Sequence, residues 1–392
     1  MRPRPSGARR LQTTNDHLRT PGLNIGHTHP RDWSGGGGFR ERPSGRAALA
    51  LQPRRPTCHN PRVRAASRTV CIVNPVPQLR GGNRVTALRW ARVFRRLGWR
   101  VFVEESWSGR RCDLLVGLHA RRSNSSVVRF HREHPDLPVV VAATGTDVYS
   151  DVPDTGEARE SFGIASRIVV LQPLAVEKLP EEARMRAKVI YQSVSLPRRR
   201  PAKATDAFEV CVIAHIRPVK DPLRAALAAR LLPASSRIRI VHLGDLIDEF
   251  MKEEVEREVR ENQRFRWLGD RPRGEALEVL ARSQLFVLSS RHEGGANAIS
   301  EALALGVPVL ATRIPGTLGL LGDDYPGTFA VEDTRGLAEL MSRAETDTAF
   351  YRSLDKACRS RAYLTDPAQE LESWREMLSE LVGEGATARS RG

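Results

Sequence analysis

Residues 285–311, LFVLSSRHEGGANAISEALALGVPVLA, decide how this chain reads. The apolar run Leu285–Leu288 has the length and character of a buried strand, and Val307–Ala311 reads as another. Between them, Gly294 and Gly295 make a turn without side-chain bulk, followed by a helix that Gly306 caps. Backbone N–H groups from Gly294, Gly295, Ala296 and Asn297 would then face a ligand at the positive end of a helix dipole, a setting suited to a phosphate or a sugar. Glu293 stands just before this helix and Glu301 about one turn inside it. Carboxylates placed there suit the paired hydroxyls of a sugar or a ribose. By spacing alone the two glutamates are equally well a pair of solvated charges; the two flanking buried strands make the stretch specific.

Outward from this stretch, short apolar runs alternate with helical segments, the pattern of parallel α/β architecture. In the first half the runs are Val70–Val73, Arg100–Glu104, Leu114–Leu118, Val139–Ala143, Ile168–Leu171 and Val189–Tyr191. Val85, Leu88, Trp90, Val93, Phe94 and Leu97 recur at helical spacing after Gly81-Gly82-Asn83, and Gly98 ends that helix. The rhythm breaks over 196–206 and restarts with Phe208–Ile213, Ile238–Leu243, Phe265–Leu268, Leu285–Leu288 and Val307–Leu310. The expected fold is therefore α/β: two Rossmann-like, doubly wound domains facing across a cleft, at residues 68–195 and 207–366, joined by a linker at 196–206. A last helix over 367–384 is expected to pack back on the first domain, with a frayed tail at 385–392. Ligands of such folds bind at the C-terminal edges of the strands.

The net charge of +16 is unevenly spread. Residues 1–67 hold thirteen Arg and no Lys against Asp16, Asp32 and Glu41, so +10 resides there and only +6 in the rest. This Arg/Pro/Gly-rich stretch lacks an apolar period and is expected to be a disordered extension. It reads as an overcalled translation start, as a basic arm for nucleic acid or a membrane surface, or as a transit peptide poor in serine. No apolar run is long enough to span a bilayer. Cys58, Cys71, Cys112, Cys211 and Cys358 are scattered without a C-x-x-C pair, and Cys71 and Cys211 lie inside apolar runs, so buried thiols and a cytoplasmic location are expected.

Four further motifs fall at strand ends. Gly81 and Gly82 follow the first strand, where a tight turn lets amides meet an anion, although any strand-to-helix turn uses glycine. Arg217 and Lys220, in HIRPVKDP (215–222), follow the first strand of the second domain; they are either exposed cations or the pair that neutralises a departing diphosphate. His119, Arg121 and Arg122 follow the third strand and read as an anion clamp for a small acceptor or as a solvated helix start. Thr144 and Asp147, in TGTD (144–147), follow the fourth. There is no Asp-x-Asp, and Asp323-Asp324 is merely adjacent, so neither a metal nor another cofactor is expected.

The string around Glu293 and Glu301 resembles the E-x7-E signature of the retaining, family-4-type GT-B glycosyltransferases, and Arg217 with Lys220 resembles their Arg-Pro-x-Lys diphosphate element. Residues 81–92, 118–123, 144–149, 219–226, 290–297 and 314–327 together are similar to the SenB-like selenosugar synthases of selenoneine biosynthesis. That resemblance runs from Thr69 to Tyr363 and implies transfer from UDP-N-acetylglucosamine or UDP-glucose to selenophosphate, giving a 1-selenosugar. It assigns Arg217, Lys220 and Glu293 to catalysis, Gly294, Gly295, Ala296, Asn297 and Glu301 to the donor, and Gly81, Gly82, His119, Arg121, Arg122, Thr144 and Asp147 to the acceptor. A selenophosphate-producing enzyme and a selenoneine synthase would be the pathway partners. Thr144 departs from the histidine that many relatives carry. Two other readings stand beside this one. An O-glycosyltransferase needs a more apolar acceptor face than these Arg-rich helices offer. A non-catalytic nucleotide-sugar or nucleic-acid binding protein fits poorly with the four charged site residues and the lack of basic runs interleaved with aromatics.

Overall fold

Alternating buried strands and amphipathic helices form two parallel sheets. The computed structural model describes residues 68–75, 81–149, 156–197 and 201–389; the expected extension 1–67, Cys58 and residues 390–392 lie outside them. In the first sheet, β1 (Thr69–Val73), β2 (Arg100–Glu104), β3 (Leu114–Leu118), β4 (Val139–Ala143), β5 (Arg167–Val170) and β6 (Ala187–Val189) run in the order β2-β1-β3-β4-β5-β6. The second comprises β7 (Phe208–Ile213), β8 (Ile238–Leu243), β9 (Phe265–Trp267), β10 (Leu285–Leu288), β11 (Val309–Thr312) and β12 (Thr328–Phe329), in the order β12-β11-β10-β7-β8-β9. Both are doubly wound, as the alternation of runs implies. Along β1, Val70 and Ile72 face one layer of helices while Cys71 and Val73 face the other, so both faces of the sheet are buried.

The strand ends differ from the sequence reading for local reasons. Val307 is not in β11: its N–H closes the preceding helix on the Ala302 carbonyl, and Pro308 has no N–H for a ladder. Strand β12 pairs only two residues with β11, too short a run to show as an apolar period. The last helix is longer than expected, Pro367–Arg389. Its Trp374 is fully buried, with ring centroids 4.8 Å from Trp90 and 4.7 Å from Phe94. Met377, Leu378 and Leu381 join the same cluster, so the C-terminal helix completes the core of the first sheet. In the linker, Lys203 Nζ donates to the Ser283 carbonyl at 2.6 Å and the Ala204 amide to the Arg282 carbonyl at 2.9 Å, both just before β10.

The four described cysteines are buried and free, and burial pushes their thiols up. Among the described residues no helix is long and apolar enough to cross a membrane. His242, inside β8, has no solvent exposure and its Nε2 lies 2.8 Å from the Ala214 carbonyl. Burial lowers its pKa from 6.5 to about 4, outweighing that hydrogen bond. The unfolded chain therefore binds the proton first as pH falls. Stability should drop between pH 6.5 and about 4, by roughly 3 kcal/mol at most, and this contribution should change no further below that. Thermal unfolding across this range, compared with His242→Gln, checks it: the variant should show a flatter pH dependence.

Candidate functional site

The turn after β10 is tied down on both sides. Arg291 N–H donates to the Val219 carbonyl at 2.9 Å, and Thr312 Oγ1 donates to the Ser290 carbonyl at 2.6 Å. This places Glu293 beside the loop after β7, where its Oε1 accepts from Lys220 Nζ and from Ser290 Oγ, each at 2.7 Å. Arg217 lies three residues before Lys220 on that loop, and its Nε is buried without a hydrogen-bond partner among the described residues. The structure thus joins Lys220 to Glu293 directly and leaves Arg217 uncommitted at Nε.

The helix after the turn spans Asn297–Leu305 and ends on Gly306, whose φ of 67° is left-handed and favours glycine. Glu301 faces inward from its first turns, 8% exposed. Burial raises its carboxyl above the usual range, opposed by Arg273, whose Nε and Nη2 both reach Oε1 at 2.9 Å. Arg273 was not among the expected residues. It begins the helix Arg273–Arg282, 28 residues upstream of Glu301, and no local spacing marks the pairing.

At the facing sheet edge, Asp147 is fully buried. Its Oδ1 accepts from the amides of Thr144 (3.0 Å) and Gly145 (2.7 Å), and its Oδ2 from the amide of Ala120 (2.9 Å). The carboxylate thereby ties the loops after β3 and β4 together. His119 is 3% exposed, adopts a left-handed φ of 73°, and lies 3.9 Å from Asp147 through Nδ1. Arg122 is exposed and Arg121 half-buried. Thr144 Oγ1, and Asn74 Oδ1 just after β1, are buried without a hydrogen-bond partner among the described residues. Asn74 escaped the sequence reading because a lone asparagine after a strand usually signals only a turn.

The two edges touch. A Cβ built on Gly294 would lie 2.4 Å from the Thr144 carbonyl oxygen, so only glycine permits this approach. While the expectation for Asn297 concerned its backbone amide, its side chain reaches the first domain, accepting from Arg89 Nη1 at 3.0 Å and donating toward the Gly82 carbonyl at 3.4 Å. Gly82 begins the helix Gly82–Arg96, so two helix N-termini meet here. A separate groove among Phe208, Arg237, Gln284 and Glu345 lies at the opposite ends of the second sheet's strands, away from these residues. Among the described residues no group of three or more His, Cys, Asp or Glu side chains is arranged to hold a metal ion.

Comparison with known proteins agrees with this architecture. Residues 196–363 match the family model Glycosyl transferases group 1, which covers the linker and the second sheet. Glycosyltransferase 1 domain-containing protein 1 of Xenopus tropicalis is 32% identical over 144 residues, 36% of this chain and 41% of that protein. The putative teichuronic acid biosynthesis glycosyltransferase TuaC of Bacillus subtilis (strain 168) is 25% identical over 284 residues, 66% of this chain and 68% of that protein. The chain therefore spans less than half of the Xenopus relative. Among solved structures, Anabaena HepE in complex with UDP and glucose aligns with a TM-score of 0.63 at 16% identity, covering 80% of this chain and 100% of that one. The fold is GT-B.

Proposed function

We propose that this chain is a glycosyltransferase that uses a UDP-sugar donor, with selenophosphate as its acceptor. The observation that carries the donor half is the Lys220–Glu293 pair on a glycine turn packed against Thr144. In this reading Glu301 receives ribose hydroxyls, Glu293 and the amides of residues 294–297 orient the hexose, and Arg217 with Lys220 faces the diphosphate. The bond from the anomeric carbon to the β-phosphate oxygen breaks and its electron pair leaves on UDP, where the two cations stabilise it. A selenium lone pair forms the carbon–selenium bond, and water then cleaves selenium from phosphorus to release phosphate. The HepE complex with UDP and glucose supports the donor class. The acceptor rests on the distinctive strings at 81–92, 118–123 and 314–327 and on Thr144: a selenium anion needs little help from a general base. The Bacillus relative favours a second reading, transfer of the same sugar to an oxygen acceptor.

The test is anaerobic incubation with UDP-N-acetylglucosamine or UDP-glucose and freshly generated selenophosphate, followed by mass spectrometry. A product with selenium's isotope pattern, absent with phosphate alone and with Glu293→Ala, is expected. UDP release without selenium incorporation would overturn the acceptor and leave the oxygen-acceptor reading. The charge on the leaving group is assigned to Arg217 and Lys220, so turnover should persist in EDTA.

Arg273 bears on the donor separately. Without its guanidinium, the buried Glu301 carboxyl rises further above the usual carboxylate range. Arg273→Gln should weaken UDP binding by about tenfold, most at the acidic end because protonation removes the Glu301 charge, and less as pH rises. Calorimetric titration with UDP between pH 6 and 8.5 reads this. A flat, unweakened profile would show that Arg273 does not control Glu301.

A further inference from the structure

Arg89, seven residues inside the helix Gly82–Arg96, is 7% exposed and spends its three guanidinium nitrogens on three separate segments. Nε donates to Glu370 Oε1 of the C-terminal helix at 3.0 Å. Nη2 donates to Gln192 Oε1, just beyond β6, at 2.6 Å, and Nη1 to Asn297 Oδ1 at 3.0 Å. Gln192 carries the connection further: its Nε2 donates to the Gly295 carbonyl at 2.6 Å, and its Oε1 also accepts from Thr86 Oγ1 at 2.8 Å. Glu370 is sealed in turn by Trp90 Nε1 at 2.9 Å and by the amide and hydroxyl of Ser193. Glu370 and Gln192 are 3% and 2% exposed.

We infer that Arg89 is a positioning residue that docks the first domain onto the glycine turn and so completes the donor site of the second. The argument is one of commitment. Each nitrogen of Arg89 donates to protein and the side chain is nearly buried, so its direction is set by the protein around it. Two of its three connections end on Asn297 and, through Gln192, on Gly295, residues of the turn whose amides face the donor. A bidentate, planar fork fixes directions as well as charge, which an ammonium does not. If the Arg89–Glu370 pair served only to anchor the C-terminal helix, the Asn297 and Gln192 bonds would be unnecessary. The turn that binds the donor is instead shaped by side chains from the opposite domain, and the site is fully formed only while the two are docked.

This inference rests on the donor reading above, and its test is chosen to separate the two. Hydrogen exchange is compared in the wild-type chain, Arg89→Lys and Glu370→Gln, with and without UDP, and steady-state rates are measured alongside. Arg89→Lys should exchange faster across residues 293–300 and lose about tenfold to a hundredfold in kcat/KM, through KM for the UDP-sugar. Glu370→Gln keeps the Asn297 and Gln192 bonds and should loosen mainly residues 367–381. If Arg89→Lys loosens 367–381 and leaves 293–300 unchanged, Arg89 is only a helix anchor and the inference is overturned. If wild type shows no UDP protection, the donor reading fails while exchange at 293–300 still decides the role of Arg89.

Discussion

Arg217→Ala should lower kcat about a hundredfold to a thousandfold while changing UDP affinity far less. The structure distinguishes the two cations of the loop after β7. Lys220 is already engaged, its ammonium 2.7 Å from Glu293 Oε1, so part of its charge is neutralised before any ligand arrives. Arg217 keeps a buried Nε with no partner among the described residues, a cost of about 1–3 kcal/mol that folding alone does not recover. A charged group held ready in this way suits a charge that appears only as the reaction proceeds, and the diphosphate gains its extra charge as the sugar bond breaks. Loss of such a donor falls on kcat and kcat/KM together. Arg217→Lys should restore part of the rate, because the charge returns without the fork. Lys220→Ala should act more broadly, since it also frees the Glu293 carboxylate to move. Steady-state kinetics with a single UDP-sugar decide the matter. An Arg217→Ala enzyme with normal kcat and a raised KM would assign Arg217 to ground-state binding.

Much of the site was legible because its chemistry is local in sequence. Glu293, the glycines, Asn297 and Glu301 fall within nine residues bounded by two buried strands, and the helix Asn297–Leu305 with its Gly306 cap follows from that pattern. What escaped was pairing over distance. Arg273 reaches Glu301 from a different strand–helix unit, and Arg89 reaches Asn297 across 208 positions; neither leaves a periodic trace. The hydrogen bonds of Asp147 were hidden for a related reason. An aspartate beside Thr144 and Gly145 looks like a ligand contact, but three amides converge on it once the loops fold, and burial leaves its carboxylate no outward face. For Asn297 the place at the helix N-terminus was readable, but the direction of its side chain depends on a guanidinium supplied by the other domain.

Gly294→Ala should lose most of the activity, and it tests whether the two domains work in contact. The new methyl would lie 2.4 Å from the Thr144 carbonyl oxygen, 2.5 Å from its carbonyl carbon and 2.6 Å from the Gly145 amide nitrogen. All three are backbone atoms, so no rotamer change relieves the clash. Thr144 cannot withdraw without dragging the Asp147 bonds that hold its loop. The turn must deform or the domains must part, and a displacement of about 1 Å at such a site is enough to cost a hundredfold in kcat/KM. The control lies across the same contact: a Cβ on Gly145 would meet Gly294 N at 4.0 Å, an ordinary van der Waals distance, so Gly145→Ala should be nearly silent. Rates and thermal unfolding of both variants separate the cases. Lost activity with a well-folded Gly294→Ala chain means that turnover requires the turn seated on Thr144. Retained activity would mean that the chemistry proceeds with the domains apart, and that the contact belongs to a resting arrangement of the cleft.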